Sequence, residues 1–269
     1  MDILEKHYIA IDAWSVLYPE KTTFLLSHLH TDHADIPKTF GFPVYASEAT
    51  AVFNVHKRIR PVLRVDAWYR THKYHIPFRV LKTMHTVESI GFYFPSLAVL
   101  YMGDCTESII PMIPRPLTII YDGLYEETTR MLPAVSQTCA MIRRALDSTC
   151  PVVQIVHHGI LSFIAESCQI SFRLHPSVPD LVRTAATHLQ LVDDASPYLM
   201  VGRSYKDDHH IVPSSYWFMR DPRLDPFSVH ADGNKFRVFC TLHASAADIA
   251  TWKDRHPYAQ FEALQTNAV

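Results

Sequence analysis

The stretch Ser27-His28-Leu29-His30-Thr31-Asp32-His33 directly follows an apolar run typical of a β-strand. In an extended segment His28 and His30 point to the same side, because side chains alternate with a period of two. A turn after His30 would let Asp32 and His33 approach the same point. Imidazole and carboxylate groups are ligands of zinc-class ions, and a site with an open coordination position is hydrolytic rather than structural. The alternative is a chance match in a chain with 17 histidines.

Short strands are predicted throughout the first 125 residues, because runs of β-forming residues there are bounded by polar residues or proline. Helical spacing of apolar residues predicts two helices in the same half of the chain. The predicted strands are 8–11, 23–27, 78–82, 92–94, 98–102 and 117–121, and the predicted helices are 47–60 and 133–147.

The pattern changes at Pro151, after which strands and helices alternate. This alternation predicts a small α/β unit inserted into the first architecture. We therefore predict an α/β protein with a first domain over 1–150, an insert over 151–232 and a return to the first domain over 233–269. Within the second half we predict strands at 152–156, 169–172 and 236–240, helices at 160–167, 178–189 and 246–255, and loops over 202–232.

Composition excludes several classes of protein. Hydrophobic residues make up 48% of the chain, which is enough for a substantial core and excludes a disordered or collagen-like chain. No stretch reaches the roughly 18 apolar residues of a membrane helix, so we expect no membrane partner. The five cysteines are widely spaced and contain no Cys-x-x-Cys pair, which predicts free thiols and an intracellular location. They are Cys105, Cys139, Cys150, Cys168 and Cys240.

The net charge of −2 gives no global attraction to nucleic acid, so such a partner would need a local basic patch. The densest basic stretch is the candidate for one, because backbone phosphates supply most nucleic-acid affinity. A solvated surface explains the same residues equally well. The candidate contacts are Lys57, Arg58, Arg60, Arg64 and Lys73.

Two later residues extend the histidine motif. His85 follows the predicted strand 78–82, and Asp104 follows Tyr-Met-Gly at the end of another. With residues 28–33, this order resembles the metal motifs of the metallo-β-lactamase fold. The resemblance implies a four-layer αββα architecture that binds one or two Zn²⁺ ions. It assigns one ion to His28, His30 and His85 and a second to Asp32 and His33, with Asp104 shared.

Further segments resemble the Artemis-type DNA cross-link repair nucleases of the β-CASP group. They are Ile11–Trp14, Phe42–Glu48, Asp122 after a strand, and His243 before the last predicted helix. The resemblance implies a metal-dependent 5′-to-3′ DNA exonuclease in the nucleus, with DNA favoured over RNA as the partner. It makes Asp32 the residue that orients or deprotonates water. Asp122 would hold an imidazole, and His243 would stabilise developing charge or protonate the leaving oxygen.

The chain also departs from that group. After His85 it reads Thr-Val-Glu-Ser-Ile-Gly, where the group usually has a Cys-Pro-Gly-like turn, and the predicted insert opens without the group's lysine. Two alternatives stay open: an RNA-processing nuclease with the same metal motifs, and a catalytically silent relative that acts as a scaffold or assembly factor. A location in another organelle also stays open.

Overall fold

The computed structural model describes most of the first half of the chain and parts of the second. The chain forms two compact units. The first comprises Met1–Met84, Glu88–Glu127 and Ala246–Val269, and the second comprises His85–Val87 and Thr128–Ser245. The described residues are 2–53, 56–83, 85–86, 88–105, 116, 118–126, 128, 130–148, 152–155, 168, 173–174, 198–201, 210–213, 216–233, 235–241 and 243–264.

One sheet of the first unit has four strands in the order β1-β2-β3-β4, and every neighbouring pair is parallel. Its strands are β1 Ile9–Ile11, β2 Thr23–Leu25, β3 Val44–Ser47 and β4 Ile59–Leu63. Because the strands are parallel, their carboxyl ends lie at one edge of the sheet and their amino ends at the other. The segment 27–33 leaves the sheet at the carboxyl edge.

The other sheet of this unit has six strands in the order β16-β9-β8-β7-β6-β5. Its strands are β5 Trp68–Arg70, β6 Pro77–Lys82, β7 Ile90–Phe94, β8 Val99–Gly103, β9 Thr118–Asp122 and β16 Gln260–Leu264. β8, β9 and β16 run parallel, whereas β5, β6, β7 and β8 form antiparallel neighbours. The carboxyl ends of β6, β8 and β9 consequently share one edge.

The two sheets pack against each other through one hydrophobic core. Ile9 and Ile11 of β1 belong to the same buried cluster as Phe78 and Phe92 of the six-stranded sheet. Ala10 of β1, between Ile9 and Ile11, belongs with Phe24 of β2 to a second cluster on the other face of the four-stranded sheet. This alternation is the period of two expected for strands, and burial of both faces is typical of a parallel sheet. The carboxyl edge is thus anchored to a rigid core.

The second unit contains its own six-stranded sheet in the order β11-β12-β10-β13-β15-β14. All its neighbouring strands are parallel except β14 and β15. Its strands are β10 Val152–Ile155, β11 Arg173–Leu174, β12 Tyr198–Val201, β13 His210–Pro213, β14 His230–Asp232 and β15 Lys235–Val238.

Helices are few among the described residues. The α-helices are α1 Asp2–Glu5, α2 Thr31–Ala34, α3 Val135–Ser148, α4 Tyr216–Arg220 and α5 Ala246–Arg255, with 3₁₀ turns at Glu48–Val52 and Pro95–Leu97. None of the helices in the described part of the chain has the length and apolar character needed to cross a membrane. The mixture of sheets and helices confirms the predicted α/β class.

Most predicted elements in the first half are present, but the helix over 47–60 is wrong. That range contains the end of β3, a 3₁₀ turn and the start of β4. The apolar residues of this range have helical spacing because short elements there bury different faces. Along β4, exposed and less exposed side chains alternate, as in an edge strand. The loops expected over 202–232 also contain β13, α4 and β14. The predicted elements 160–167, 169–172 and 178–189 lie outside the described residues.

The two units differ from the predicted domain boundaries. The second unit begins at Thr128 after the short piece 85–87, and it ends at Ser245 rather than 232. Residues 235–238 pair with β13 and β14, so this strand belongs to the sheet of the second unit. Sequence pattern did not reveal that assignment, because a strand looks the same whichever sheet it joins.

The expectation that all cysteines are free is wrong for one pair. Cys139 and Cys168 form a disulfide, with Cα atoms 4.9 Å apart, within the range that disulfides require. They are 29 residues apart in sequence, so no local spacing signalled the pair. Cys105 and Cys240 are free and buried, and Cys150 lies outside the described residues. The intracellular location stays a prediction without that support.

Candidate metal centre

Strand direction brings several acidic residues and histidines of the first unit to one place. Asp12 follows β1, His28 lies three residues beyond β2, Asp104 follows β8, and Asp122 ends β9. Each therefore lies at the carboxyl end of a parallel strand. The structure thus gathers residues that are more than 100 positions apart in sequence.

His28, His30 and Asp104 form the centre of this cluster. Each presents a potential ligand atom, and these atoms lie within 4.8 Å of one another. Nε2 of His28 is 3.5 Å from Oδ2 of Asp104, and both side chains are at least 98% buried. The rings of His28 and His30 are 4.5 Å apart. The structure thus brings these three side chains together, and two imidazoles with one carboxylate are a donor set that fits Zn²⁺.

His33 lies beside this group on the single turn of α2. Its Nδ1 is 2.9 Å from Oδ2 of Asp12, and its Nε2 is 3.3 Å from Oδ1 of Asp104. Burial lowers the pKa of His33, but hydrogen bonds to Asp104 and Asp12 and their negative charges outweigh burial and raise it to about 11. Two carboxylates this close to the ring nitrogens of His33 favour a positive charge in the pocket.

Asp12 organises the surrounding hydrogen bonds. Its carboxylate accepts from the backbone N–H of Ser27 at 2.8 Å, the Ser27 hydroxyl at 2.6 Å and the Tyr101 hydroxyl at 2.8 Å. Oγ of Ser27 is also 2.9 Å from Nδ1 of His28. Since Ser27 donates its proton to Asp12, it accepts from Nδ1 of His28, which directs the other ring nitrogen, Nε2, to Asp104. Outer partners of this kind orient metal-binding histidines.

Asp12 lies in Ile11–Trp14, a segment that resembles the cross-link repair nucleases, but the sequence alone assigns it no role. The signal that could have identified it is its position directly after a buried strand that is parallel to β2. Its backbone φ of +53° is left-handed, a conformation that Asp tolerates better than most residues. Burial and the Asp12 charge raise the pKa of Tyr101 well above its ordinary value, so its hydroxyl remains a donor.

Gly103 sets the direction in which Asp104 leaves β8. Its φ is +60°, and an added Cβ would lie 3.1 Å from Cε1 of Tyr101. We expect Gly103→Ala to destabilise the protein by about 1–2 kcal/mol, the cost of a left-handed conformation for an L-residue. Urea denaturation measures this loss. Gly41→Ala is the control, because nothing lies within 4 Å of its added Cβ; equal effects of the two substitutions would contradict the expectation.

Asp32 and Asp122 occupy different environments. Asp122 is buried, its Oδ1 accepts from the backbone N–H of Leu124 at 2.9 Å, and it offers a ligand atom within 4.8 Å of one from Asp104. The Asp32 side chain is 46% exposed, and its Oδ2 is 3.6 Å from Nε2 of His33. Asp32 is therefore accessible at the rim of the cluster, and its catalytic role stays a prediction.

His85 and His243 belong to the second unit. Their ring centroids are 4.9 Å apart, with an interplanar angle of 67°. His85 is buried, whereas His243 is half-buried and its backbone N–H donates to Oγ1 of Thr241 at 3.1 Å. The ligand role of His85 and the catalytic role of His243 stay predictions.

The predicted nucleic-acid contacts do not gather at the edge that holds the histidine cluster. Lys57 and Arg58 precede β4 and so lie at the amino edge of its sheet. Lys73 lies in the β5–β6 turn, where the neighbouring backbone N–H of His72 donates to Oγ1 of Thr23, the first residue of β2. This is again the amino edge.

The remaining two basic residues lie along β4 and at its carboxyl end. Arg60 is exposed, and its Nη1 donates to the backbone carbonyl of Lys57 at 3.0 Å. Arg64 is exposed at the carboxyl edge, and its Nε is 2.7 Å from Oε1 of Glu48. Of the five predicted contacts, Arg64 alone lies at the edge that holds the histidine cluster, and its charge is already paired.

Comparison with known proteins adds fold information alone. No family model matches the chain, and no curated protein matches it. Among solved structures that match is the "Crystal Structure of a Protein of Unknown Function from Enterococcus faecalis V583", with a TM-score of 0.56 and 11% identity over 93% of this chain and 80% of that chain. At this identity the similarity extends to the mixed α/β fold and not to an activity.

Proposed function

We propose that this chain is a metal-dependent hydrolase with a metallo-β-lactamase fold. The observation that carries the proposal is the convergence of His28, His30 and Asp104 at the carboxyl edge of two packed sheets. The bonds from Asp12 and Ser27 that orient the neighbouring rings support it. A purely structural role would not require this arrangement.

In the proposed mechanism, each described residue has a distinct task. His28, His30 and Asp104 would hold a Zn²⁺ ion, with His85 as the third imidazole and Asp32 and His33 beside a second position. Asp122 would hold an imidazole. The ion supplies Lewis acidity, which lowers the pKa of water and stabilises negative charge on the substrate. Asp32, exposed at the rim, would accept a proton from the attacking water. His243 would donate a proton to the leaving oxygen.

For the substrate we propose a phosphodiester, following the resemblance to the cross-link repair nucleases. Water would attack phosphorus and the bond to the leaving oxygen would break, which releases nucleotides from the 5′ end of DNA. Nucleic acid is then the partner and the nucleus the proposed location. Arg64 is already paired, and Lys57, Arg58 and Lys73 lie away from the histidine cluster. A DNA strand would therefore have to be held largely by other groups.

Cleavage of matched single strands tests this proposal. We expect zinc-loaded protein to degrade 5′-phosphorylated DNA faster than RNA of the same sequence. Asp32→Ala should lower the rate by about 100-fold or more, the range for loss of one acid–base group. Asp254→Ala is the control, because Asp254 is an exposed carboxylate on the last helix of the same unit.

Three outcomes would contradict parts of the proposal. Faster cleavage of RNA would overturn the choice of DNA and favour the RNA-processing alternative. Cleavage that starts within a circular strand would overturn the exonuclease mode. Equal low activity of the wild type and Asp32→Ala, in protein that binds zinc, would overturn the enzyme and favour the scaffold alternative.

A further inference from the structure

Glu88 lies in the loop between β6 and β7 and is 1% exposed. The base of this loop is closed by Thr83 and Ser89: the backbone N–H of Thr83 donates to the carbonyl of Ser89, and Oγ of Ser89 donates to the carbonyl of Thr83. The Glu88 carbonyl accepts from Oγ of Ser47 at 2.7 Å. Both ends of the segment 88–90 are therefore fixed in the first unit.

A glutamate is almost never fully buried unless it is paired or hydrogen-bonded. One donor to the Glu88 carboxylate is the backbone N–H of Leu29, 3.4 Å from Oε1. Leu29 separates His28 from His30, the two histidines of the candidate centre. None of the roles described above uses Glu88.

The segment 88–90 forms hydrogen bonds to the peptide groups on both sides of His28. The backbone N–H of Ile90 donates to the Ser27 carbonyl at 2.9 Å, which belongs to the peptide group before His28. The Leu29 N–H that donates to Glu88 belongs to the peptide group after His28. Two peptide planes held in this way determine the backbone angles of the residue between them.

We infer that Glu88 is a positioning residue for the metal centre: its carboxylate oxygen holds the Leu29 amide and thereby sets the direction in which His28 presents its ring. The inference rests on the proposed metal centre and adds to it a residue outside the ligand set. Loss of an outer partner of a metal ligand typically weakens metal binding by about 10–100-fold.

Three substitutions separate the hydrogen-bond acceptor from the charge. Glu88→Gln keeps an acceptor oxygen at the same reach and removes the charge. Glu88→Asp keeps the charge but withdraws the oxygen by one methylene group, and Glu88→Ala removes both. Zinc affinity is measured on the full chain by competition with a chromophoric chelator, alongside the melting temperature of the zinc-free protein.

We expect Glu88→Gln to stay within about threefold of the wild-type zinc affinity, and Glu88→Asp and Glu88→Ala to lose about tenfold or more. Should Glu88→Ala fail to fold, the Gln and Asp variants decide the question. Thr71→Val is the control: it removes the buried acceptor for the Ile76 N–H at the far end of β6, which should lower the melting temperature and leave zinc affinity unchanged.

Wild-type affinity in all three variants would overturn the inference, as would equal losses in Glu88→Gln and Glu88→Ala, which would assign the effect to charge. A loss of zinc affinity in Thr71→Val as large as that in Glu88→Asp would also overturn it, because the losses would then reflect the lower stability of the protein and not the position of His28. A wild-type chain that binds no zinc would instead overturn the proposed metal centre itself.

Discussion

Replacing Asp104 with asparagine is expected to abolish stabilisation of the protein by zinc and to lower hydrolytic activity by at least about 100-fold. Asparagine has nearly the same shape as aspartate, so the buried position remains filled. It lacks the negative charge that lies 3.5 Å from Nε2 of His28 and 3.3 Å from Nε2 of His33. A neutral amide is a poor ligand for zinc-class ions, and loss of one charge-stabilising group alone costs about 100–1,000-fold in rate.

The shift of the melting temperature on zinc addition measures the first part of this expectation. A ligand that binds the native state stabilises it by mass action, so wild type should melt at a higher temperature with zinc, whereas Asp104→Asn should not. Asp66→Asn is the matched control, because it makes the same chemical change at an exposed carboxylate of the same unit. An Asp104→Asn variant with the full wild-type shift and rate would contradict Asp104 as a ligand.

Replacing Asp12 with alanine is expected to destabilise the protein by about 3–5 kcal/mol, the range for removal of one partner from a buried charged pair. The Asp12 side chain is 6% exposed and accepts from Ser27, Tyr101 and His33. Removal leaves the buried Tyr101 hydroxyl and the His33 ring without this acceptor. Asp12→Asn should cost less, about 1–3 kcal/mol, since it retains one acceptor oxygen and tolerates the left-handed backbone.

Urea denaturation of the zinc-free protein measures both variants. The same variants should bind zinc more weakly by about 10–100-fold, because Asp12 and Ser27 orient the rings of His28 and His33. A free energy of unfolding for Asp12→Ala within about 1 kcal/mol of wild type would contradict the role of Asp12 as the organising acceptor. Wild-type zinc affinity in both variants would contradict its role in ring orientation.

Local sequence pattern was enough to predict the parts of the site that lie on one short segment. His28 and His30 converge as the alternation of an extended chain predicts. The strands that lead to them, and the helix 246–255, were also predicted from apolar runs and their polar boundaries. These features depend on residues within a few positions of one another, which is where sequence pattern is informative.

The contributions that sequence pattern missed come from long-range pairing. Asp12 and Tyr101 meet because β1 and β8 lie in sheets that pack together, although the two residues are 89 positions apart. Glu88 reaches Leu29 across 59 positions, and Cys139 meets Cys168 through the fold of the second unit. Strand order and sheet packing determine these contacts between distant residues, and no local sequence spacing predicts them.

The predicted basic surface illustrates the same limit. Lys57, Arg58, Arg60, Arg64 and Lys73 are close in sequence, which suggested a single patch. Because β4 runs from the amino edge to the carboxyl edge, residues before it and after it lie at opposite ends of the sheet. Sequence proximity therefore did not translate into one surface beside the histidine cluster.

The most direct test of the proposed metal centre is the metal content of the purified chain. The protein is reconstituted with zinc, freed of unbound ion by gel filtration and measured by elemental mass spectrometry, alongside a His28→Ala/His30→Ala double variant. We predict about one zinc ion or more per wild-type chain and at least tenfold less in the variant. Equal zinc content in the two proteins, or less than about 0.1 ion per wild-type chain, would contradict the metal centre.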